Sequence, residues 1–597
     1  MRRDRLQRPF LLATFVSATL AASVSAETHF TDASTAIFKG LSLTARSASL
    51  ADIDNDGDLD VFFQGSGTAD RRLMQNNFVG SGVLSFTNIS STLPNTLSNS
   101  WSAAWADYDG DGFVDVFVGQ TNAGVTGTAL KNNGGTSFTN VSSAVGLADP
   151  GFHQNVGWID INNDNRLDLV IGMEGPEKHE IYLQDSTGHF TPVGAAAGIQ
   201  ANWGTKAYGT AVGDTDNDGD LDIYISTCNS SFDIRNNFYE NQLSQTGVLS
   251  FVDIADTNGT QNMPNSYHAE FTDFDDDGML DLFMVGADQE PTRIFRNLGG
   301  NKFQDVAELL GHSLLSDTGG DLNGGRAIDY DNDGDLDLFM HDDLQVNNSD
   351  QARKLYRNDG NWNFVDVTQS VGIAYQNSGA YDSVWGDLDR DGDLDLIAPT
   401  GSGYLERIFL SDTSTNGNNW LYLRLDGTVD NTTAIGASVF ATINEGTPEE
   451  RTLRREANTN PGTFNQSDLP VHFGLGDASI IDTLRILWPD GTSQTLHDVS
   501  VNQYLTVGFP GDFDHNGMVN AADLVKWRAD FGVNAGSDAN GDGVTDGQDL
   551  LAWQRSFGAG TTFHTSTANA VPEPHSLGLA LLSVAAIFTR VRTRSQR

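Results

Sequence analysis

The chain has one cysteine, Cys228, in 597 residues, so no disulfide can close within it. Bases are also few: 34 Lys and Arg stand against 80 acids, for a net charge of −46. That balance argues against nucleic acid and anionic membrane surfaces as partners. Glutamate is scarce, at 14 of the 80 acids. A charged helical surface would use Glu, the better helix former, so 66 Asp beside 63 Gly point instead to turns and hard-cation sites. No zinc-type His cluster, Gly-rich phosphate loop or nucleophile elbow is present, and the 12 His are scattered. With 38% apolar residues and many aromatics, the chain is not composed like a disordered one.

Long apolar runs occur only near the ends. Arg2, Arg3, Arg5 and Arg8 precede a mostly apolar Phe10 to Ala22, and Val24-Ser25-Ala26 offers a small-residue cleavage site. Residues 1–26 therefore read as a secretory signal. At the other end, Val571-Pro572-Glu573-Pro574 is followed by an apolar stretch from Leu577 to Phe588 and by Arg590, Arg592, Arg594 and Arg597. Residues 571–597 resemble the PEP-CTERM sorting signal of bacterial surface proteins. The resemblance implies sorting and processing machinery as a partner and transient membrane contact; a plain tail anchor is the alternative. Residues 561–570 read as a linker. The expected location is the cell surface or outside, in a bacterial-type envelope.

Between these ends one pattern recurs seven times at intervals of 53–59 residues: Asp-x-Asp/Asn-x-Asp-Gly-x-x-Asp. Such a period signals a repeat architecture. Two strands flank each copy and a hairpin follows, as at Lys354–Asn358 and Phe364–Val367; four strands per repeat describe a propeller blade. Segments of the form Phe-x-Asp/Asn-Val/Ile-x occur near Phe30, Phe86, Phe138, Phe190, Phe251, Phe303 and Phe364. The first precedes the first loop and the last repeat has none after it, so the strand near Phe30 is expected to complete the final blade. The fold class is mainly β: a seven-bladed calcium-binding β-propeller over residues 27–415.

The loop chemistry follows from Ca2+ coordination, six to eight oxygens at roughly 2.3–2.6 Å. Carboxylates at positions 1, 3, 5 and 9 converge, with a backbone carbonyl at 7 and Gly at 6 for the turn. The expected side-chain ligands are, loop by loop, Asp52, Asp54, Asp56 and Asp60; Asp107, Asp109, Asp111 and Asp115; Asp160, Asn162, Asp164 and Asp168. They continue with Asp214, Asp216, Asp218 and Asp222; Asp273, Asp275, Asp277 and Asp281; Asp329, Asp331, Asp333 and Asp337; and Asp387, Asp389, Asp391 and Asp395. In the third loop Asn162 replaces an Asp and Asn165 the Gly; Asn tolerates the left-handed turn, at lower expected affinity. The rival reading is an acidic turn without metal, which four converging carboxylates oppose by repulsion. The repeats resemble the FG-GAP/VCBS repeats of integrin α-subunit propellers and bacterial surface proteins, which implies calcium-stabilised blades and a binding role.

Residues 416–509 change character. Asn419 to Leu425 alternates like a strand, and Ala434-Ile435-Gly436-Ala437, His472-Phe473-Gly474-Leu475-Gly476 and Leu484 to Gly491 follow. This resembles the ASPIC/UnbV domain that follows such propellers in the cartilage acidic protein family, and implies a small β-rich domain. His472 reads as a strand histidine with a satisfied ring. Residues 510–560 carry two twelve-residue loops: Asp512, Asp514, Asn516 and Asp523, then Asp538, Asn540, Asp542 and Asp549. Helices are expected over Leu524–Phe531 and Leu550–Phe557. Asp at position 12 and the 26-residue offset resemble a type I dockerin, a small α-helical pair. A cohesin-like partner is implied, but Ala521-Ala522 and Gly547-Gln548 lack the hydroxyl pair frequent at positions 10 and 11, and a calcium spacer is the alternative.

Six residues before each opening Asp, the residue is aromatic in four repeats: Trp101, Tyr208, Tyr267 and Tyr381, with His153 and His268 within one residue of that register. These begin the innermost strands at the end away from the loops. Two readings stand: an axial ring gripping a sugar or protein loop, or packing between blades. The function expected is non-catalytic capture of an extracellular glycan or protein. A polysaccharide lyase or hydrolase and a structural spacer are the alternatives.

Overall fold

The computed structural model describes residues 30–560, except 40–42, 44, 66–70, 96, 98, 122–124, 175–178, 200–206, 228–235, 261–265, 287–289, 308–321, 343–352, 375–381, 401–404, 413–415, 460–465 and 542. The signal and sorting segments, the linker, Cys228, Tyr381 and Asp542 lie outside the described residues.

The described chain is mainly β. Its first part forms seven four-stranded antiparallel sheets. Sheet 1 runs Ala45–Ala51, Asp60–Gly65, Arg72–Asn76 and Phe86–Asn88 in sequence order, and sheets 2 to 6 repeat that order over residues 103–140, 152–192, 207–253, 266–305 and 322–366. Sheet 7 differs. It takes Val384–Gly386, Asp395–Ala398 and Arg407–Leu410 from the end of the repeat region and its fourth strand, Thr31–Asp32, from the beginning. Thr31 pairs with Leu410 and Asp32 with Phe409.

The first strands of the sheets face one another, and the sheets meet through apolar side chains. Phe62 of sheet 1 packs with Trp105 of sheet 2, and Tyr108 of sheet 2 stacks on Trp158 of sheet 3 at 5.5 Å. Phe339 and Trp385 join sheets 6 and 7. Leu50 and Val61 of sheet 1 share a core with Val384 and Ile397 of sheet 7.

Polar staples hold each sheet and reinforce five of the junctions. The position-9 aspartate accepts at one oxygen the amide at the end of its own third strand: Asn76 to Asp60 at 2.7 Å, and likewise at Asp115, Asp168, Asp222, Asp281, Asp337 and Asp395. In five sheets the side-chain amide at that strand end reaches into the previous sheet's loop. Asn132 donates to the Ile53 carbonyl, Gln184 to Tyr108, Asn241 to Ile161 and Asn297 to Thr215. Asn76 of sheet 1 donates to Leu388 of sheet 7 at 2.9 Å.

Residues 419–508 form two further sheets. One orders Val471–Gly476, Asn419–Asp426 and Gln503–Gly508, the last pair parallel; the other orders Arg451–Glu456, Ser438–Ile443, Ile480–Leu487 and Ser493–Ser500. Leu421, Leu453, Phe473, Leu484 and Trp488 are buried between them. Phe513, Val519, Ala539 and Trp553 extend the same core into two helices, Ala521–Asp530 and Gly547–Ser556. Both helices start three residues before the expected Leu524 and Leu550. Asn520 and Asp546 cap them, each in a capping box with Asp523 or Asp549, so the cap rather than the first apolar residue sets the start.

Asn297→Ala removes two buried donor bonds, to Thr215 and Leu280, and leaves both carbonyls unpaired. The expected cost is about 1–3 kcal/mol, read as a lower melting temperature against an exposed control such as Asn133→Ala.

Candidate calcium loops and the domain that covers them

Each loop turns on two left-handed residues. Position 6 has positive φ throughout, from Gly57 at 94° to Asn165 at 66°, so the Asn substitution in the third loop preserves the turn. Position 4 is also left-handed, as at Asn55, Asn217, Asp276, Asn332 and Arg390. Sequence reasoning passed over position 4, although its Asn, Asp and Gly were the signal.

The position-1 carboxylate closes the turn by accepting the amides of positions 5 and 6. Asp52 does so from Asp56 and Gly57, both at 3.1 Å, and Asp107, Asp160, Asp214, Asp273, Asp329 and Asp387 repeat it. Asp512 does the same in the loop that precedes helix Ala521–Asp530.

Carboxylate oxygens of Asp52, Asp54 and Asp56 lie within 4.8 Å of one another, as do those of Asp214, Asp216 and Asp218 and of Asp329, Asp331 and Asp333. Burial, reinforced by the neighbouring carboxylates, pushes Asp115 and Asp333 up to about 9 and Asp222 and Asp391 up to about 8. The donor set fits a hard cation on a specific observation. One oxygen each of Asp54, Asp275, Asp331 and Asp389, all at position 3, is buried with no hydrogen-bond partner, and so is Oδ2 of the fully buried Asp115. An orphaned buried carboxylate oxygen is costly unless a cation meets it. Position 9 is less free than expected: in five loops its second oxygen also accepts the position-2 amide, as Asp60 does from Ile53. Side-chain cations meet ligand carboxylates in three loops: Lys131 pairs with Asp109 and Asp111, Arg296 with Asp275 and Asp277, and Arg166 with Asp164, to which Asn162 also donates at 3.0 Å.

Position 4 links consecutive loops. Asn55 donates to the Gly112 carbonyl, Asn163 to Gly219, Asn217 to Gly278 and Asn332 to Gly392; Arg390 of the seventh loop donates to Gly57 of the first. The link is broken at the second and fifth loops, and there the following domain takes over. Gly110 lies under the Val429 carbonyl, leaving no room for a Cβ, and Asp276 pairs with Arg451 at 2.7 Å.

That domain lies over the loops. Thr432 donates to Asp107 at 2.8 Å, Tyr504 to Asp387, Arg454 to Asn217 and the Gly278 carbonyl, and Asn416 and Asn418 to the Asp331 carbonyl. Its Thr459 and residues 466–469 reach the first strands. The Thr459 hydroxyl meets both the amide and the carbonyl of Trp158 at 2.7 Å. Gln466 takes the Trp105 amide through its side chain and the Leu50 amide through its carbonyl, while Ser467 takes the Trp385 amide. Leu469 packs into the sheet 1–2 and sheet 2–3 cores. Inner strand edges thus find partners in a distant part of the sequence, which no local pattern signals.

A cavity of about 700 Å³ lies between the first, second and seventh loops and this domain, lined by Asp52, Asp107, Asp387, Tyr422, Tyr504 and Asp512 among others. Tyr504 offers no free ring face there: Tyr422 stacks on it at 5.1 Å and the Arg390 guanidinium lies 4.2 Å from its centroid. His472 lies in the strand Val471–Gly476, as expected, and its ring is satisfied in part: it bonds the Gly392 backbone, while Nε2 is buried without a hydrogen-bond partner, and burial with the nearby Arg455 lowers its pKa to about 3.

At the opposite strand ends, Tyr208 and Tyr267 meet edge-to-face at 4.5 Å. Trp101 instead packs on Phe152 at 5.8 Å, with the Arg46 guanidinium 5.5 Å from its ring. His153 and His268 are fully buried. Trp101 and Tyr267 remain half-exposed.

The ASPIC and UnbV family model matches residues 427–512, and the FG-GAP-like repeat model matches 160–225, 273–340 and 341–398. The chain carries FG-GAP-like repeats followed by an ASPIC/UnbV domain. It is 24% identical to cartilage acidic protein 1 of Xenopus tropicalis over 496 residues, covering 78% of this chain and 74% of that protein. To the Homo sapiens protein of the same name it is 23% identical over 502 residues, covering 78% and 72%. Among solved structures it is similar to the Dos1 propeller, at 12% identity and a TM-score of 0.33, over 60% of this chain and 76% of that one.

Chelation is expected to lower the melting temperature by on the order of 10 °C, because ions held only by the folded state stabilise it. A melt unchanged by EDTA in protein first saturated with Ca2+ would refute the metal reading of the FG-GAP loops.

Proposed function

We propose that this is an exported, calcium-binding surface protein that captures an extracellular glycan or protein without transforming it. The observation that carries the reading is the cyclic run of seven equivalent sheets, joined first to last by Thr31–Asp32, Asn76 and Arg390. It supports a seven-bladed propeller over residues 27–415 with Ca2+ in the seven loops. A ring of carboxylate turns is a rigid scaffold, and a sequence in which no nucleophile-elbow, phosphate-loop or zinc-type motif is found suits recognition more than turnover. The similarity to extracellular-type FG-GAP and ASPIC/UnbV proteins points the same way. Among the described residues no helix is long and apolar enough to cross a membrane.

The ASPIC/UnbV domain lies over the loop ends, so ligand contact is assigned to the opposite strand ends, where Trp101 and Tyr267 retain exposure. The dockerin-like residues 510–560 present Val525, Phe531, Leu551 and Phe557 to solvent, two pairs at equivalent places in the two helical units. That apolar pairing supports a protein partner, cohesin-like in kind, over a bare spacer. Residues 1–26 then serve export, and residues 571–597 serve sorting at the envelope.

The test is a panel of immobilised extracellular glycans and matrix proteins probed with the Ca2+-loaded chain, with and without EDTA. Saturable, EDTA-sensitive binding without product release is the expected result, weakened about tenfold or more by the double change Trp101→Ala and Tyr267→Ala. Release of shortened saccharides would move the assignment to a lyase or hydrolase, and no binding on any surface would leave a structural spacer.

A further inference from the structure

The seven carboxylate loops are alike in sequence but not in surroundings. In the first four loops the turn faces solvent at one or both of positions 4 and 6, and in the fifth both positions keep partial exposure. In the sixth and seventh loops the position-6 glycines, Gly334 and Gly392, are buried, and so is Asn332 at position 4 of the sixth. The ASPIC/UnbV domain is what buries them.

On the sixth loop, the Gly476 amide donates to the Asn332 carbonyl at 2.9 Å and Arg455 donates to the Gly334 carbonyl at 3.2 Å. Asn416 and Asn418 hold the Asp331 carbonyl at 2.7 and 2.9 Å, and Arg451 pairs with Asp335. Gly474 sits so close over Asp329 and Asn332 that a Cβ there would overlap both. On the seventh loop, Trp420 lies against Gly392 with no space for a Cβ, the Tyr422 hydroxyl accepts the Asp387 amide at 3.0 Å, and Tyr504 donates to the Asp387 carboxylate. The backbone turns of these two loops are therefore clamped from outside at several points each.

We propose that the ASPIC/UnbV domain is a lock on the sixth and seventh loops, dividing the seven sites into a freely exchanging class and a retained class. The inference rests on the calcium reading of the loops. A nine-residue turn that encloses a cation with carboxylates at positions 1, 3 and 5 must open to exchange it. Positions 4 and 6 are the left-handed pivots of that opening, and in these two loops the pivots are pinned. By the reciprocity of coupled equilibria, filling the two loops must in turn hold the domain down. The exported protein then keeps part of its charge-neutralising metal, and its domain arrangement, through a passage of low external Ca2+.

The experiment uses the full chain saturated with Ca2+, its total metal measured by atomic emission, and mixed rapidly with a fluorescent chelator. Two release phases are expected, the slower by at least about tenfold, a factor that one or two net hydrogen bonds supply. Its amplitude should equal about two ions of the total. Two variants spare every proposed ligand side chain: Trp420→Ala unroofs Gly392, and Asn416→Ala with Asn418→Ala frees the Asp331 carbonyl. Each should convert about one ion from the slow to the fast phase with total metal unchanged and far-ultraviolet circular dichroism retained. A single release phase from fully loaded wild-type protein overturns the lock while leaving the calcium reading intact. A slow phase untouched by both variants also overturns it. Absence of bound calcium in the saturated chain overturns both readings together.

Discussion

Everything in this molecule depends on how carboxylates are spent against backbone amides. In each loop the first aspartate accepts two turn amides and the ninth accepts the amide that ends the third strand. Those bonds fix where the turn sits relative to its own sheet. They also consume lone pairs, and among the loop oxygens left buried and unpartnered are one each of Asp54, Asp275, Asp331 and Asp389 at position 3, Asp58 Oδ1 and Asp115 Oδ2. A cation there would neutralise charge that the fold has already gathered for another purpose. The turns alone account for much of the excess of Asp over Glu: the shorter arm reaches its own turn, whereas Glu would overshoot.

Much of the architecture was legible because the repeat is periodic. The spacing of the opening aspartates and the Phe-x-Asp/Asn segments located every sheet, including the strand near Phe30 that pairs with Arg407–Leu410. What was not legible shares one property: it joins residues far apart in sequence. The Asn132 bond to Ile53 and the Arg390 bond to Gly57 obey the period but cross between sheets, and no single repeat displays them. Arg390 is the instructive case. Six loops carry Asn, Asp or Gly at position 4, and one carries an arginine in left-handed backbone, a conformation it adopts at a cost. Its reach to the Gly57 carbonyl and its stacking on Tyr504 offset that cost.

The contacts of Thr459 and of residues 466–469 were likewise invisible to pattern. No local signal marks them, yet Thr459, Gln466 and Ser467 meet the inner strand edges of four sheets. Four aligned first strands otherwise present unpaired amides to a narrow interior, and a buried unpaired amide costs on the order of 1–3 kcal/mol. Water can satisfy such edges in an open channel. Here side chains and one backbone carbonyl do it, and Leu469 brings apolar contact that water cannot.

That arrangement decides what kind of unit the chain is. Withdrawing the ASPIC/UnbV domain would strip inner-edge amides of their partners, uncover Gly110, Gly334 and Gly392, and free Arg451 and Arg454 from the carboxylate turns. The two helices Ala521–Asp530 and Gly547–Ser556 would follow, because Phe513, Val519 and Trp553 belong to the same core as Leu484 and Trp488. The FG-GAP-like repeats, the ASPIC/UnbV domain and these helices thus share continuous packing among the described residues. The two glycines under Trp420 and Val429 show that the docking is built into the loops and not laid over them: beyond the positive φ at Gly110 and Gly392, the covering domain leaves no room for a Cβ. A small-residue choice at these turns therefore records the partner domain as much as the turn itself, and the sharing of one carboxylate between Asp387's own turn amides and Tyr504 is where the two constraints meet.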